Sequence, residues 1–297
     1  AIEKLLWDNE DLYNDFKSTF EILSKDVNPA VRYAAFRILY PIYNIDKEYA
    51  SYKIIEMIQR DYKFAGDRGM KQIFFLIYEK YNKDIDKVLL ECFNSNDESL
   101  IANASFTIAE MYIRHNRYEN LLCNINQRQV KFIINMALLY FKKEEYNEIA
   151  KGLIKKCIEE NPDLKINLSR LFYDSLIDLD RDKDFLIYIM ESRISDEIIY
   201  GFVEYIEKNA TSIIDYKDII LRLSRNAFEN YPKLTDKRWI IDNELTKLII
   251  LLYDETVNET SRSMKKIANE CLELWDFMFE KRISGARVLL NYMLSLD

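Results

Sequence analysis

Residues 26–42 read Asp26-Val27-Asn28-Pro29-Ala30-Val31-Arg32-Tyr33-Ala34-Ala35-Phe36-Arg37-Ile38-Leu39-Tyr40-Pro41-Ile42, and their pattern decides the fold. Asn28 offers a side-chain acceptor just ahead of Pro29, whose fixed φ and missing N–H suit the first position of a helix. Behind that start, Val31, Ala34, Ala35, Ile38, Leu39 and Ile42 recur at threes and fours, the apolar stripe of an amphipathic helix. Pro41 interrupts the stripe. It removes a backbone donor and crowds the preceding turn, so a kink or helix end is predicted near Tyr40.

The same period extends in both directions. Ile54, Ile55, Ile58 and Tyr62 trace a second stripe, and Ile219, Leu223, Ala227 and Tyr231 a third. No stretch alternates as a strand would. Polar breaks cut the chain into about sixteen helices joined by short loops. Several breaks carry helix-start chemistry: Asn96-Asp97-Glu98, Asn161-Pro162 and Ser195-Asp196-Glu197 each place a cap or acidic groups at an N-terminus, where the helix dipole favours them.

Composition agrees. The 297 residues include 5 Gly and 4 Pro, where average usage gives about 20 and about 15. Sheets need such residues at many tight turns, and nucleotide-binding loops need glycine where backbone meets phosphate. Neither G-x-x-x-x-G-K-[S/T] nor G-x-G-x-x-G occurs, and Gly66-Asp67-Arg68-Gly69 reads as a helix–helix turn. The prediction is all-α: two-helix units repeating every ~37 residues, stacked into an α-solenoid of the HEAT or armadillo kind. No low-complexity linker divides the chain, so residues 1–297 read as one continuous helical-repeat domain.

Hydrophobic residues make up 49% and the formal charge is −8, which fits a soluble protein with a real core. The longest uncharged apolar runs, 73–78 and 248–253, fall far short of the about 20 residues that span a bilayer. The start, Ala1-Ile2-Glu3-Lys4, has neither a basic leader nor an initiating methionine, and both a processed product and a fragment of a longer protein fit that reading. Cys92, Cys123, Cys157 and Cys271 lie far apart, without the close pairs that a zinc site uses. They read as buried thiols in a reducing cytoplasm.

Candidate chemistry is sparse. Asp178-Leu179-Asp180-Arg181-Asp182-Lys183-Asp184 alternates carboxylates like a calcium loop. It has Lys183 where such a loop needs glycine and Ile189 where it needs a bidentate Glu, so a solvated turn is expected. Pro162-Asp163 opens an apolar-periodic helix and lacks the neighbouring D/E-x-K of a nuclease. His115, the one histidine, sits at a helix end, where the dipole accounts for it. No catalytic residue, metal ligand or cofactor-binding residue is assigned. Basic clusters at Lys142, Lys143, Lys151, Lys155 and Lys156, at Arg262, Lys265 and Lys266, and at Lys281, Arg282 and Arg287 read as solvated faces. The first is interleaved with glutamates. A net acidic chain is a poor nucleic-acid binder. Tyr52, Tyr118 and Tyr146 fall off the apolar stripes and are candidates to line a binding surface.

The segment from Asp26 to Ala35 resembles a HEAT repeat, and 94–104, with Asp97, Ala102 and Ala104, resembles a degenerate second copy. The resemblance implies polar ladders between stacked helices. Asp26, Val31, Arg32 and Ala35 match the repeat positions, with Asn28, Pro29 and Asp97 marking the helix starts. The wider order, from NPAVRYAAFRILYPIYNIDKEYA through LLECFNSNDESLIANAS to the tail LTKLIILLYDETVN…ANECLELWDFMFEKRISGARVLLNYMLSLD, is similar to the C-terminal helical region of large bacterial STAND/NACHT-type NTPases of antiphage defence. That likeness implies a cytoplasmic, non-catalytic sensor. Its ligand would be a protein, such as a foreign trigger, and ATP would be bound by a module outside this chain.

Two other readings stay open. Ala137-Leu138-Leu139-Tyr140-Phe141-Lys142-Lys143-Glu144-Glu145-Tyr146 resembles a TPR helix-turn, which implies a peptide receptor or scaffold. A HEAT-like nucleic-acid protein of the repair type is the other.

Overall fold

The computed structural model describes residues 1–123, 125–161, 168–192, 194–195, 198–209, 212–233 and 238–294. Among them every regular element is helical. The α-helices are α1 (Ile2–Asp8), α2 (Tyr13–Leu23), α3 (Pro29–Ile45), α4 (Lys47–Arg60), α5 (Met70–Phe93), α6 (Glu98–His115), α7 (Gln127–Tyr140), α8 (Asn147–Glu160), α9 (Arg170–Tyr173), α10 (Leu179–Glu191), α11 (Ile199–Asn209), α12 (Lys217–Asn230), α13 (Thr246–Val257), α14 (Arg262–Glu280) and α15 (Gly285–Leu294). The all-α expectation therefore holds. The chain forms two compact units, Ala1–Leu139 and Tyr140–Asp297.

Side-chain caps set the helix starts. The Asn28 side chain accepts from Ala30 N with Pro29 at the first position. Asp46 accepts from Tyr49 N, and Asp97 from Ser99 N and Leu100 N. Each cap satisfies N–H groups that the helix itself leaves without partners. α6 ends on Asn116 in the left-handed region at φ 52, a conformation that Asn tolerates. Pro162, Asp163, Asp196 and Glu197 lie outside the described residues, and with them the expected helix starts at Asn161-Pro162 and Ser195-Asp196-Glu197 and the opening of Pro162-Asp163. α5 departs from helical geometry at Tyr81, with φ −124 and ψ 28, where the sequence has a polar break.

Four expectations need correction. α3 does not end near Tyr40; it continues through Pro41 to Ile45. Pro41 is buried on the same face as Ile38 and Ile42, so packing offsets the lost donor. Along the same stripe Ala35 is wholly buried but Ala34 is exposed. Ala34 borders a hollow of about 590 Å³ with Ala30, Val31, Ile2 and Leu23. Cys92, Cys157 and Cys271 are buried, and burial pushes each thiol up to about 12. Cys123 is exposed.

The fourth concerns the acidic run at 178–184, which is the start of α10 and not a solvated turn. Asp178 Oδ1 accepts from Arg181 N, and Asp182 Oδ2 accepts from Asp178 N. Asp182 is fully buried, 2.8 Å from both Lys151 Nζ and Arg181 Nη2. Lys151, expected on a solvated face, is its buried counter-ion. Burial alone would raise the Asp182 carboxyl. Its bonds to Arg181, Asp178 N and Lys151 outweigh that and hold it below the usual range.

Amide side chains bond backbone carbonyls about 36 residues back. In the first unit, Asn103 Nδ2 donates to the Asp67 carbonyl and Gln129 Nε2 to the Phe93 carbonyl, each 36 residues back. In the second, Asn226 Nδ2 donates to the Met190 carbonyl, again 36 residues back. Charged pairs run alongside: Lys53 with Glu21, Arg37 with Glu3, Lys183 with Asp218, and Arg222 with Glu191. At the turn read from Gly66 to Gly69, buried Asp67 accepts from Tyr33 Oη, Tyr40 Oη and Gly69 N. A Cβ at Gly69 would come within 2.7 Å of the Tyr40 ring, so only glycine allows this approach.

Removing the Asp182 carboxylate leaves Lys151 as a buried charge without its main counter-ion. Asp182→Ala should therefore lower the unfolding free energy by about 3–5 kcal/mol in urea titrations at neutral pH. A loss below about 1 kcal/mol would mean that solvent screens the pair. The Asp67 and Asp182 carboxyls are both held low in the folded state. Their stabilisation is complete above the unfolded carboxylate pKa of about 4 and is lost as pH falls through the lower folded values. The urea midpoint should drop below about pH 4, and less steeply in Asp67→Asn.

Candidate functional site

The residues read as repeat positions serve the local scaffold. Asp26 Oδ1 accepts from Asn28 N and shapes its own turn. Arg32 Nη1 donates to the carbonyls of Asp26 and Val27, and Nη2 lies 3.5 Å from Asp61 at the end of α4. Arg32 thus links the turn before α3 to the end of α4 through the Asp26 carbonyl rather than its carboxylate. Val31 is half-buried, Ala35 is buried, and Asp97 caps its own helix.

The three tyrosines do not share an environment. Tyr52 on α4 is 55% exposed, with Lys53 Nζ 5.7 Å from its ring centre. Tyr118, which follows α6, is tied down rather than free. Its Oη donates to Asp86 Oδ1 and meets Tyr78 Oη at 3.1 Å. Burial, and then the Asp86 carboxylate, drive its hydroxyl pKa upward. Tyr146 is half-buried, edge-on to Tyr140 at 5.3 Å. Of the three, Tyr52 alone presents most of its ring to solvent.

A different feature stands out in the second unit. Helices α8, α10, α12 and α14 start at 147, 179, 217 and 262, intervals of 32, 38 and 45 residues. The shorter intervals go with closed seams: Lys151 reaches Asp182, Tyr188 reaches Glu159, Lys183 reaches Asp218, and Arg222 reaches Glu191. The 45-residue interval contains the 3-10 turn Tyr231–Lys233 and the π-helical turn Ile240–Leu245. Across the seam that follows it, no described hydrogen bond or ion pair joins the facing residues 221–229 of α12 to α14. A cleft of about 850 Å³ lies there.

α12 lines the cleft with Leu221, Arg222, Arg225, Asn226 and Glu229. α14 contributes Lys266, Asn269, Glu270, Glu273 and Leu274, and Glu191 closes the α10 side. Arg225, Glu229, Asn269 and Glu273 are exposed. Asn226 is committed to the scaffold, donating to the carbonyls of Met190 and Ser192 and to Ser195 Oγ. In the first unit a smaller hollow between α6 and α7 is instead bridged, Lys131 to Glu98 and Arg128 to Asn96.

Such a lining does not fit a small-molecule site, where apolar walls with a few polar groups enclose the ligand. Among the described residues no group of three or more His, Cys, Asp or Glu side chains is placed to hold a metal ion. No described helix is long and apolar enough to cross a membrane. Of the cleft residues, only Lys266 stands in a cluster visible in the sequence, and there it reads as a solvated face. The available signal is the stretched interval between successive α12-like and α14-like stripes.

Arg225→Ala and Glu273→Ala should leave the urea midpoint within the equivalent of about 0.5 kcal/mol, because neither side chain bonds within the unit. Asn226→Ala should cost about 1–3 kcal/mol by stranding helix-end carbonyls. Equal losses at all three positions would make the cleft wall structural.

Compared with known protein families, with curated proteins and with solved structures, the chain matches none.

Proposed function

We propose that this chain is a non-catalytic recognition module of stacked HEAT-like helical hairpins, the sensor part of a bacterial defence NTPase, with a protein as its ligand. The observation that carries this reading is the cleft between α12 and α14. There two helices present unlike charges that no bond joins across the gap, while neighbouring seams are closed by ion pairs. An open wall of charged and amide groups suits a second polypeptide, whose own charges and backbone can complete the pairs.

The 36-residue spacing of the amide-to-carbonyl bonds supports the stacked-hairpin part of the reading. A hairpin cannot bury both faces alone, so repeats of this kind stabilise one another through nearest-neighbour contacts. The link to a defence NTPase rests on the sequence resemblance alone. ATP turnover belongs to a module outside this chain.

Selection of a displayed random-peptide library on the purified chain tests the reading. Recovered peptides should converge on a consensus and lose binding to the Arg225→Glu/Lys266→Glu variant. Failure to enrich any peptide, or ATP turnover by the purified chain, would end it. So would salt-sensitive binding of duplex DNA that the same variant abolishes.

A further inference from the structure

The cleft has a polarity that the recognition reading does not require. Along α12 the charged wall runs from Arg222 and Arg225 to Glu229, and along α14 from Lys266 to Glu270 and Glu273. From Arg222 to Glu229 and from Lys266 to Glu273 the step is seven residues, about 10 Å of helix. Lys183 pairs with Asp218 and Glu191 with Arg222, so partners rise together and α10 runs in the same direction as α12. A single returning helical run, ending in α13, separates α12 from α14, just as α11 separates α10 from α12. α14 therefore points the same way again, and the two gradients add, with both walls basic at one end and acidic at the other.

Some of these charges are already used. Arg222 is bonded to Glu191, and Lys266 lies 3.5 Å from Glu270. The groups left over are Arg225 toward the basic end and Glu229 and Glu273 at the acidic end. Leu221 adds half-buried apolar surface beyond the basic end, whereas Leu274 at the other end is buried. A nucleic-acid backbone would bring phosphates against Glu229, Glu270 and Glu273, which repel them. A uniformly basic peptide would meet Arg225 and Lys266.

We propose that the cleft takes a segment of a partner protein whose acidic and basic side chains are sorted to opposite ends, acids toward Arg225 and bases toward Glu229 and Glu273, the two ends lying about four residues or 6 Å of helix apart. This deepens the recognition reading and rests on it. Charge matching of this kind sets register and rejects wrong partners more than it adds raw affinity.

Two capped hexapeptides of one composition provide the test by calorimetric titration at low salt. The first has two glutamates, two leucines and two lysines in that order; in the second, glutamate and lysine alternate around the leucines. The sorted peptide should bind about tenfold more tightly. That preference should vanish in the Arg225→Glu/Glu229→Arg exchange, which inverts one wall at two exposed positions. Equal affinity for the two isomers, binding of neither, or a preference that survives the exchange would overturn the proposal. A library consensus without charge sorting would sink this inference and leave the recognition reading standing.

Discussion

An α-helix ends with carbonyls that its own ladder cannot satisfy, and where the next helix packs over that end water cannot reach them all. Here amide side chains supply the missing donors. Asn103 serves the turn at Asp67, Gln129 the end of α5 at Phe93, and Asn226 the end of α10 at Met190 and Ser192. Each bond joins a turn or helix end to a side chain 34 to 36 residues later. It fixes the helix's position along its neighbour as well as closing the gap. Apolar stripes alone would leave that register loose, because leucine and isoleucine surfaces slide past one another at little cost. The amides remove the freedom, since a shift of one residue would strand a buried carbonyl.

The charged pairs act on top of this frame with unequal weight. Those between exposed side chains, such as Lys183 with Asp218, contribute little to stability and chiefly mark which helices are neighbours. Asp182 with Lys151 is different, because burial has removed water as an alternative partner. Either charge alone would be costly there, so the pair makes the α8–α10 seam intolerant of change. Asp67 plays a similar part in the first unit, where two tyrosine hydroxyls and a backbone N–H share one carboxylate.

What could be read from the sequence follows from which forces act locally. Helix starts at Asn28-Pro29 and Asp97 are local chemistry, since a cap and its N–H lie within a few residues of each other. The break at Tyr81 is local in the same sense. Pro41 does not end α3, because the burial that offsets its cost comes from packing, which a local rule does not include. Asp182 and Lys151 look like surface charges in sequence, and only their meeting across 31 residues makes them interior ones. The off-stripe position of Tyr118 suggested a free ring, but its partners Asp86 and Tyr78 belong to α5. The cleft was hidden for the same reason. No residue in it is unusual for a helix surface, and its character comes from the distance between two surfaces.

That distance connects fold to function. Where successive helices start 32 or 38 residues apart, charges meet across the seam and neutralise one another. The 45-residue interval before α14 carries a π-helical turn, and such turns add a residue to the helical circuit and shift whatever follows. Asp242 within that turn accepts from Tyr231 Oη and Gly285 N, so the irregularity is anchored on both sides rather than loose. A Cβ at Gly285 would come within 2.3 Å of Thr246 Oγ1 and 2.8 Å of the Asp242 carbonyl, so a larger residue there would have to displace the turn. Where the interval stretches to 45 residues, Arg225, Glu229 and Glu273 on the two cleft walls have no described partner within the unit, in contrast to the paired charges of the shorter intervals.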